Sequence, residues 1–208
     1  MSRPTREGVV FNERDERKYR DRGFIFDEQG KRKYLDKTER RKYRRAAIKE
    51  KSMACLAFLL TLFYTGCRIS EALNLTAERV DLTGKLLVFE TLKRRRRGCY
   101  RAVPIPDILV RLFRQLLKDI NPSEPIWKMS RATAYRLVKA YMALAGVRGI
   151  QACPKGLRHG FAVACIHQVP LPTVQKWMGH ARMETTAIYL EVSGDEERAL
   201  ARRVWASD

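Results

Sequence analysis

Long apolar stretches are missing from this sequence. The longest one runs from Ala54 to Tyr64 and is bounded by Lys51 and Arg68. It falls short of the roughly 18 residues that a membrane-spanning helix needs. The N-terminus mixes acids with bases and has no apolar stretch, which does not fit a secretory signal peptide. We therefore expect a cytoplasmic protein without a membrane partner.

Cysteine is scarce and irregularly spaced. The chain has five cysteines, and no interval between them is the short spacing of a zinc-binding pair. An odd number of widely separated cysteines favours reduced thiols over a disulfide framework. The sequence therefore predicts no metal site.

Acidic residues are few compared with basic ones. The chain has 42 Lys and Arg residues against 23 Asp and Glu residues, a formal net charge of +19. Such a charge attracts polyanions, so nucleic acid is the expected partner. Composition alone leaves a ribosomal-type protein and a membrane-surface protein open, and it does not address catalysis.

The 208-residue chain divides into three parts. Residues 1–35 are polar and show little apolar periodicity, which predicts a basic N-terminal arm. Residues 36–193 carry the apolar patterns of one folded domain. Residues 194–208 form a C-terminal tail, in which Glu196 to Trp205 has the pattern of a short helix.

The predicted fold is mainly α with a small antiparallel β-sheet. Two β-prone runs, Leu86 to Thr91 and Cys99 to Ile105, flank the basic segment 92–98, which predicts a hairpin with a cationic tip. The remaining apolar patterns have helical periodicity. They cover Cys55 to Tyr64, Ile108 to Ile120, Ser130 to Leu144, Gly156 to His167, Leu171 to Met178 and Met183 to Leu190.

Several basic residues could bind a phosphate. Breaking a phosphodiester without a metal requires a nucleophile, cations over the phosphoryl oxygens and an acid for the leaving oxygen. Arg68 follows the helix-ending Gly66 and could form a forked contact with a phosphate, with Glu71 one turn away to orient it. A surface pair between Arg68 and Glu71 is the plainer alternative.

A second pair of cations lies in the segment Pro154-Lys-Gly-Leu-Arg-His-Gly160. Lys155 and Arg158 are three residues apart at a helix start, so both could face one phosphate. His159 is adjacent to Arg158 and therefore points to another face of the helix. We expect His159, like His167, to be structural.

A histidine and a tyrosine lie nine residues apart further along the chain. His180 ends one helix after a glycine and could donate to a phosphate oxygen, while Tyr189 could attack the phosphorus. Taken alone, Tyr189 would be an ordinary core tyrosine. The ordered set, rather than any single member, supports the catalytic interpretation.

The basic run at the hairpin tip contains candidates for the general acid that protonates the leaving oxygen. Lys93 is the best candidate, because neighbouring positive charge can lower the pKa of a lysine. The choice within 93–97 stays open. The expected DNA-binding residues are Arg94, Arg95, Arg96, Arg97 and Arg101.

These motifs together resemble the tyrosine recombinase (phage integrase) family. The resemblance rests on Thr-Gly-Cys-Arg-Ile-Ser-Glu-Ala-Leu, on Gly-Leu-Arg-His-Gly, and on Met-Gly-His followed by the tyrosine. It implies the catalytic-domain fold of DNA breaking-rejoining enzymes in residues 36–193 and cleavage through a 3′-phosphotyrosyl link without a cofactor. The catalytic residues that it implies are Arg68, Lys93, Lys155, Arg158, His180 and Tyr189.

The sequence departs from the family pattern in two ways. Lys155 stands where a histidine is commonest, which weakens a general-base role at that position. Only about 35 residues precede the catalytic region, so the chain is similar to short, catalytic-domain-only members such as the fimbrial phase-switch invertases.

The resemblance also implies partners. They are double-stranded DNA with specific recombination sites, a homotetramer on DNA formed from a free monomer, and accessory DNA-bending proteins. The tail could dock on a neighbouring protomer or fold on its own protomer. Integration, excision, inversion and resolution stay open as outcomes. A type IB topoisomerase, a non-catalytic DNA-binding protein and a basic RNA-binding protein are the alternatives.

Overall fold

The computed structural model describes residues 25–91, 98–166, 168–191, 201–202 and 205. Helices form most of this part of the chain, and one three-stranded antiparallel sheet accompanies them. The predicted fold class is therefore confirmed. None of the helices in these residues is long and apolar enough to cross a membrane.

The first two helices each begin at a side-chain cap. Helix α1 (Lys37–Ala47) begins at a capping box between Asp36 and Glu39, which satisfies backbone donors at its first turn. Helix α2 (Met53–Thr65) follows its cap Ser52 and is buried from Ala57 to Phe63. It ends at Gly66, and the short helix α3 (Ile69–Leu73) begins three residues later.

The sheet confirms the predicted hairpin and adds one strand. Strand β1 (Val80–Asp81) pairs with β2 (Leu86–Glu90), and β2 pairs antiparallel with β3 (Tyr100–Pro104). In this register Phe89 lies opposite Arg101. The hairpin tip, with Lys93 and Arg94, Arg95, Arg96 and Arg97, lies outside the described residues.

The remaining helices follow the sheet. They are α4 (Asp107–Leu116), α5 (Arg131–Leu144), α6 (Pro154–Ile166), α7 (Leu171–Met178) and α8 (Glu184–Ala187). The helical pattern predicted at Met183 to Leu190 is present as α8 followed directly by a 3-10 turn, Ile188–Glu191, which carries Tyr189.

Two apolar clusters hold the fold together. The larger one surrounds α2, where Phe58 packs edge-on against Trp127 and the Trp127 indole donates to the carbonyl of Ala54. The second joins α6, α7 and Tyr189 with residues near the start of the described chain, Ile25 and Tyr34. Helix α6 therefore lies between the two clusters and is held on both sides.

Residues 25–35 differ from the expected arm. Ile25 and Leu35 are fully buried, and the backbone N–H of Leu35 donates to the carbonyl of Gly156. A Cβ at Gly160 would be only 2.6 Å from the Leu35 carbonyl oxygen, so this segment is packed directly on α6. Ile25 and Tyr34 belong to the second apolar cluster and Leu35 belongs to the larger one, so residues 25–35 pack with the core of the domain.

Candidate active site

Arg68 is placed by a glycine-dependent turn. Gly66 has a left-handed φ of 59°, and a Cβ there would lie 2.4 Å from Cδ1 of Phe161. Only glycine combines this backbone conformation with such close packing. The turn places Arg68 at the N-terminus of α3, where Glu71 accepts hydrogen bonds from its backbone N–H at 2.7 Å and from Nη1 at 2.6 Å.

Glu71 is the buried centre of a cationic cluster. Its carboxylate also accepts from Nη2 of Arg101 at 2.7 Å and lies 3.9 Å from Nη1 of Arg158. Burial alone would raise the pKa of Glu71, but the charges of Arg101 and Arg68 outweigh it and hold that pKa below its usual value. One ionised carboxylate thus orients three guanidinium groups.

Arg101 is part of this support. It is only 6% exposed. Its Nη2 donates to Glu71, its Nε donates to the carbonyl of Trp177 at 2.8 Å, and its Nη1 is 3.4 Å from the hydroxyl of Thr91. These inward-directed donors favour a supporting role for Arg101 over the DNA contact that was expected from the sequence.

Arg158 lies on α6 at the base of the site. Nη1 donates to the carbonyl of Gly66 at 2.7 Å, and Nη2 donates to the carbonyl of Met178 at 2.6 Å. Burial and the nearby charge of Arg68 lower the pKa of Arg158 to about 10. Arg158 therefore stays charged at neutral pH.

His180 follows α7 directly after Gly179, whose φ of 64° turns the chain. Its Nε2 lies 3.2 Å from Nη2 of Arg158, and its Nδ1 lies 3.0 Å from the hydroxyl of Thr186. Burial, and next the charge of Arg158, lower the pKa of His180 to about 3. The ring is thus neutral, accepts from Arg158 through Nε2 and donates to Thr186 through Nδ1.

Tyr189 is only 1% exposed. Its ring lies nearly parallel to that of His180, with centroids 6.3 Å apart. Burial raises the pKa of Tyr189 to about 12, although the charges of Arg158 and Arg68 act in the opposite direction. The hydroxyl therefore carries its proton at neutral pH and needs an acceptor before it can attack.

His159 is the site residue that the sequence interpretation missed. Its Nδ1 lies 2.7 Å from the Tyr189 hydroxyl oxygen. His159 and Arg158 do point in different directions from α6, as expected for helix neighbours. The 3-10 turn that carries Tyr189 packs against α6 on the side of His159, and no feature of local spacing signals that packing.

One cavity of about 500 Å³ collects these side chains. Five of the six predicted catalytic residues line it, and Lys93 lies outside the described residues. Lys155 is exposed at this cavity. The lining includes Arg68, Lys155, Arg158, His159, His180 and Tyr189.

The charge of the cavity suits a phosphate group. Arg68, Lys155 and Arg158 all carry positive charge there, and the neighbouring Glu71 is already engaged by guanidinium groups. Among the described residues, no group of three or more His, Cys, Asp or Glu side chains could hold a metal ion. The cations that line the cavity have the charge needed to stabilise the oxygens of a phosphate group.

The fold matches that of tyrosine recombinases of known structure. A crystal structure of XerA recombinase superimposes with a TM-score of 0.70 at 23% identity, covering 82% of this chain and 64% of that chain. The XerH site-specific recombinase, crystallised with its difH substrate in a pre-cleavage complex, gives a TM-score of 0.65 at 21% identity. That match covers 86% of this chain and 59% of that one.

Sequence comparison assigns the family. The model of the phage integrase family matches residues 33–196, and the chain belongs to this family. Tyrosine recombinase XerA of Pyrococcus furiosus is 29% identical over 180 residues, which are 81% of this chain and 60% of the relative. The chain spans between 49% and 60% of the length of the curated relatives that it matches.

Proposed function

We propose that this protein is a site-specific recombinase that cleaves and rejoins double-stranded DNA through a 3′-phosphotyrosyl link to Tyr189. The main observation behind this proposal is that the Tyr189 hydroxyl shares one cavity with Arg68 and Arg158, whose charges act on its pKa. Family membership supports this chemistry, as does the similar fold of a recombinase crystallised with its DNA substrate.

The cations of the cavity bind the scissile phosphate. Arg68 and Arg158 hold its non-bridging oxygens, and Lys155 adds a further positive charge. Glu71 keeps the two arginines in place through buried contacts. His180 donates to a phosphate oxygen once the negative charge of the DNA favours protonation of Nε2, which accepts from Arg158 in the structure described.

Covalent exchange then conserves the phosphoester. The bond between Oη of Tyr189 and phosphorus forms while the bond from phosphorus to the 5′-oxygen breaks. Lys93 gives its proton to that oxygen. Although Lys93 lies outside the described residues, the neighbouring Thr91 is hydrogen-bonded to Arg101 of the buried cluster, so the chain leaves β2 beside the site. Attack by a 5′-hydroxyl reverses the step.

We further propose that residues 36–193 with the packed segment 25–35 form the catalytic domain, preceded by a basic arm. Arg94, Arg95, Arg96 and Arg97 contact the DNA backbone. Two recombination sites are joined by four protomers, assisted by DNA-bending proteins, in the cytoplasm. The tail after Tyr189 docks on a neighbouring protomer, which the 64% exposure of Trp205 supports.

The test is adduct formation on nicked suicide substrates. Purified protein is incubated with duplexes that carry candidate recombination sites and is analysed on denaturing gels beside Tyr189→Phe. We expect a protein-linked 3′ end that is absent from the variant. An adduct formed by Tyr189→Phe, or none on any tightly bound duplex, contradicts the proposal. Relaxation of a plasmid without recombination sites would instead indicate a topoisomerase.

A further inference from the structure

We propose that His159 is a catalytic residue that accepts the proton of the Tyr189 hydroxyl through Nδ1 as the tyrosine attacks. The proposal rests on the function proposed above and adds the proton acceptor that this function requires. His159 lies outside the set of residues that the sequence motifs indicated, and its adjacency to Arg158 had suggested a structural role.

The contact has the geometry of proton transfer. Nδ1 of His159 lies 2.7 Å from Oη of Tyr189. This distance is within the heavy-atom range expected between a general base and the atom that it deprotonates. The two rings are tilted by 52° with centroids 5.7 Å apart. Helix α6 also carries Arg158, so one rigid element holds both the proton acceptor and a phosphate-binding cation.

The surrounding charges decide which atom carries the hydrogen. Arg158 and Arg68 act on the Tyr189 hydroxyl and favour the arrangement in which its oxygen lone pairs face them. The hydroxyl hydrogen then points away from the guanidinium groups, toward His159. In that arrangement Nδ1 is the acceptor and Nε2 carries the ring hydrogen.

The ring is ready to accept a proton before DNA arrives. Burial, followed by the charges of Lys155 and Arg158, lowers the pKa of His159 to about 3, so the imidazole is neutral at physiological pH. Its Nε2 is buried and has no hydrogen-bond partner among the described residues. In the proposed tautomer Nε2 is already protonated, so proton uptake changes only the Nδ1 side.

Substrate binding makes the transfer favourable. Without DNA, the cations around His159 oppose a positive charge on the ring. A bound phosphodiester brings a negative charge against Lys155 and Arg158, which offsets their repulsion and favours the imidazolium. Transfer is therefore coupled to occupancy of the cavity, and the buried tyrosine stays protonated until a phosphate is in place.

The step balances within the site. The proton moves from Oη of Tyr189 to Nδ1 of His159 while the bond from Oη to phosphorus forms. The bond from phosphorus to the 5′-oxygen breaks, and that oxygen takes its proton from the general acid. On rejoining, the imidazolium returns its proton to Oη as the phosphotyrosyl bond breaks. Lys155 cannot replace His159 here, because an ammonium group has no lone pair to accept a proton.

The test compares His159→Asn with the wild type in single-turnover cleavage between pH 6.5 and 9. Asparagine retains an oxygen acceptor near the position of Nδ1 but cannot hold a proton. We expect a loss on the order of 10²–10³-fold at pH 7, with unchanged DNA affinity. The variant rate should rise about tenfold per pH unit, because attack then requires prior ionisation of Tyr189, whereas the wild-type rate stays nearly level. An equal loss at every pH overturns the proposal.

Two further measurements separate the possible failures. A substrate whose 5′-bridging oxygen is replaced by sulfur has a leaving group that needs no acid, so it should rescue Lys93→Ala but not His159→Asn. Nitrogen NMR of the wild-type ring should show an unprotonated Nδ1 even if the variant does not fold, and a protonated Nδ1 overturns the proposal.

If the wild type forms no adduct, the proposed function fails and the proposed role of His159 fails with it. If the adduct forms equally well with His159→Asn, only the role of His159 fails.

Discussion

Glu71 is the buried anion on which Arg68, Arg101 and Arg158 converge, and Glu71→Gln tests how much the site depends on it. The change removes the negative charge but retains an oxygen acceptor. Arg101 and Arg158 are both less than a tenth exposed, so their charges are then poorly compensated. Removing one partner of a buried ion pair costs about 3–5 kcal/mol. Because glutamine retains an acceptor, we expect the lower end, about 3 kcal/mol of unfolding free energy at pH 7.

The effect should depend on pH in one direction. The folded-state pKa of Glu71 lies below its usual value of 4.5. The ionised carboxylate therefore stabilises the fold fully at pH values above 4.5. This stabilisation is lost as the pH falls through the folded-state pKa. Glutamine does not titrate, so the stability difference between the two proteins should be largest near neutrality and should shrink in acid.

Urea unfolding and thermal melting measure the difference. A loss of about 3 kcal/mol corresponds to a decrease of roughly 6–12 °C in melting temperature for a domain of this size. Glu90→Gln is the matched control, because Glu90 pairs with Arg79 at 3.4 Å with both side chains partly exposed, a contact worth about 0–1 kcal/mol. Equal losses for the two variants, or a Glu71→Gln difference that persists below the folded-state pKa, would refute the reasoning.

Three other changes test the placement of the site. Gly66→Ala should lower the unfolding free energy by about 1–3 kcal/mol, because it strains a left-handed residue against Phe161; an unchanged melting temperature would contradict that close packing. Arg101→Met should destabilise the protein without changing how log Kd depends on log salt, whereas Arg94→Ala, which removes a proposed phosphate-binding cation, should reduce that slope by about 0.9. Fluorescence anisotropy across a salt series measures both slopes, and an equal change would mean that Arg101 contacts DNA. Lys155→Ala should slow single-turnover cleavage on the order of 10²-fold while Lys155→Arg retains most of it, and equal losses would show that charge alone is not what Lys155 supplies.

Local signals were sufficient for most of the site. The glycines before Arg68 and His180 end helices in left-handed turns, and those turns depend on neighbouring residues only. The three-residue spacing of Lys155 and Arg158 places both on one side of a helix start, and both line the cavity as expected. The hairpin and the helix at Leu171 to Met178 were also predictable, since each follows from a short periodic pattern and its flanking turns.

Other features depended on contacts between distant segments. Arg101 shares the buried face of strand β3 with Val103, but a strand pattern alone does not distinguish a DNA contact from an inward ion pair for an arginine beside a basic hairpin tip. Its partner Glu71 lies thirty residues away. Residues 25–35 have little apolar periodicity, yet Ile25 and Leu35 are fully buried, and Leu35 packs against Gly160 of α6. Burial of a few apolar side chains in an otherwise polar segment becomes visible only when the surface that they cover is known.

The sequence by itself determined most of the candidate site residues, because helix ends, turns and the order of Arg68, Arg158, His180 and Tyr189 are properties of short segments. Only the tertiary structure decided which groups line the cavity together and which groups support them. The packing of the 3-10 turn against α6 brings His159 to the Tyr189 hydroxyl, and the convergence of α3, β3 and α6 buries Glu71 among its cations. Those distances depend on how whole elements pack, and packing is set by the complete set of side chains in the core.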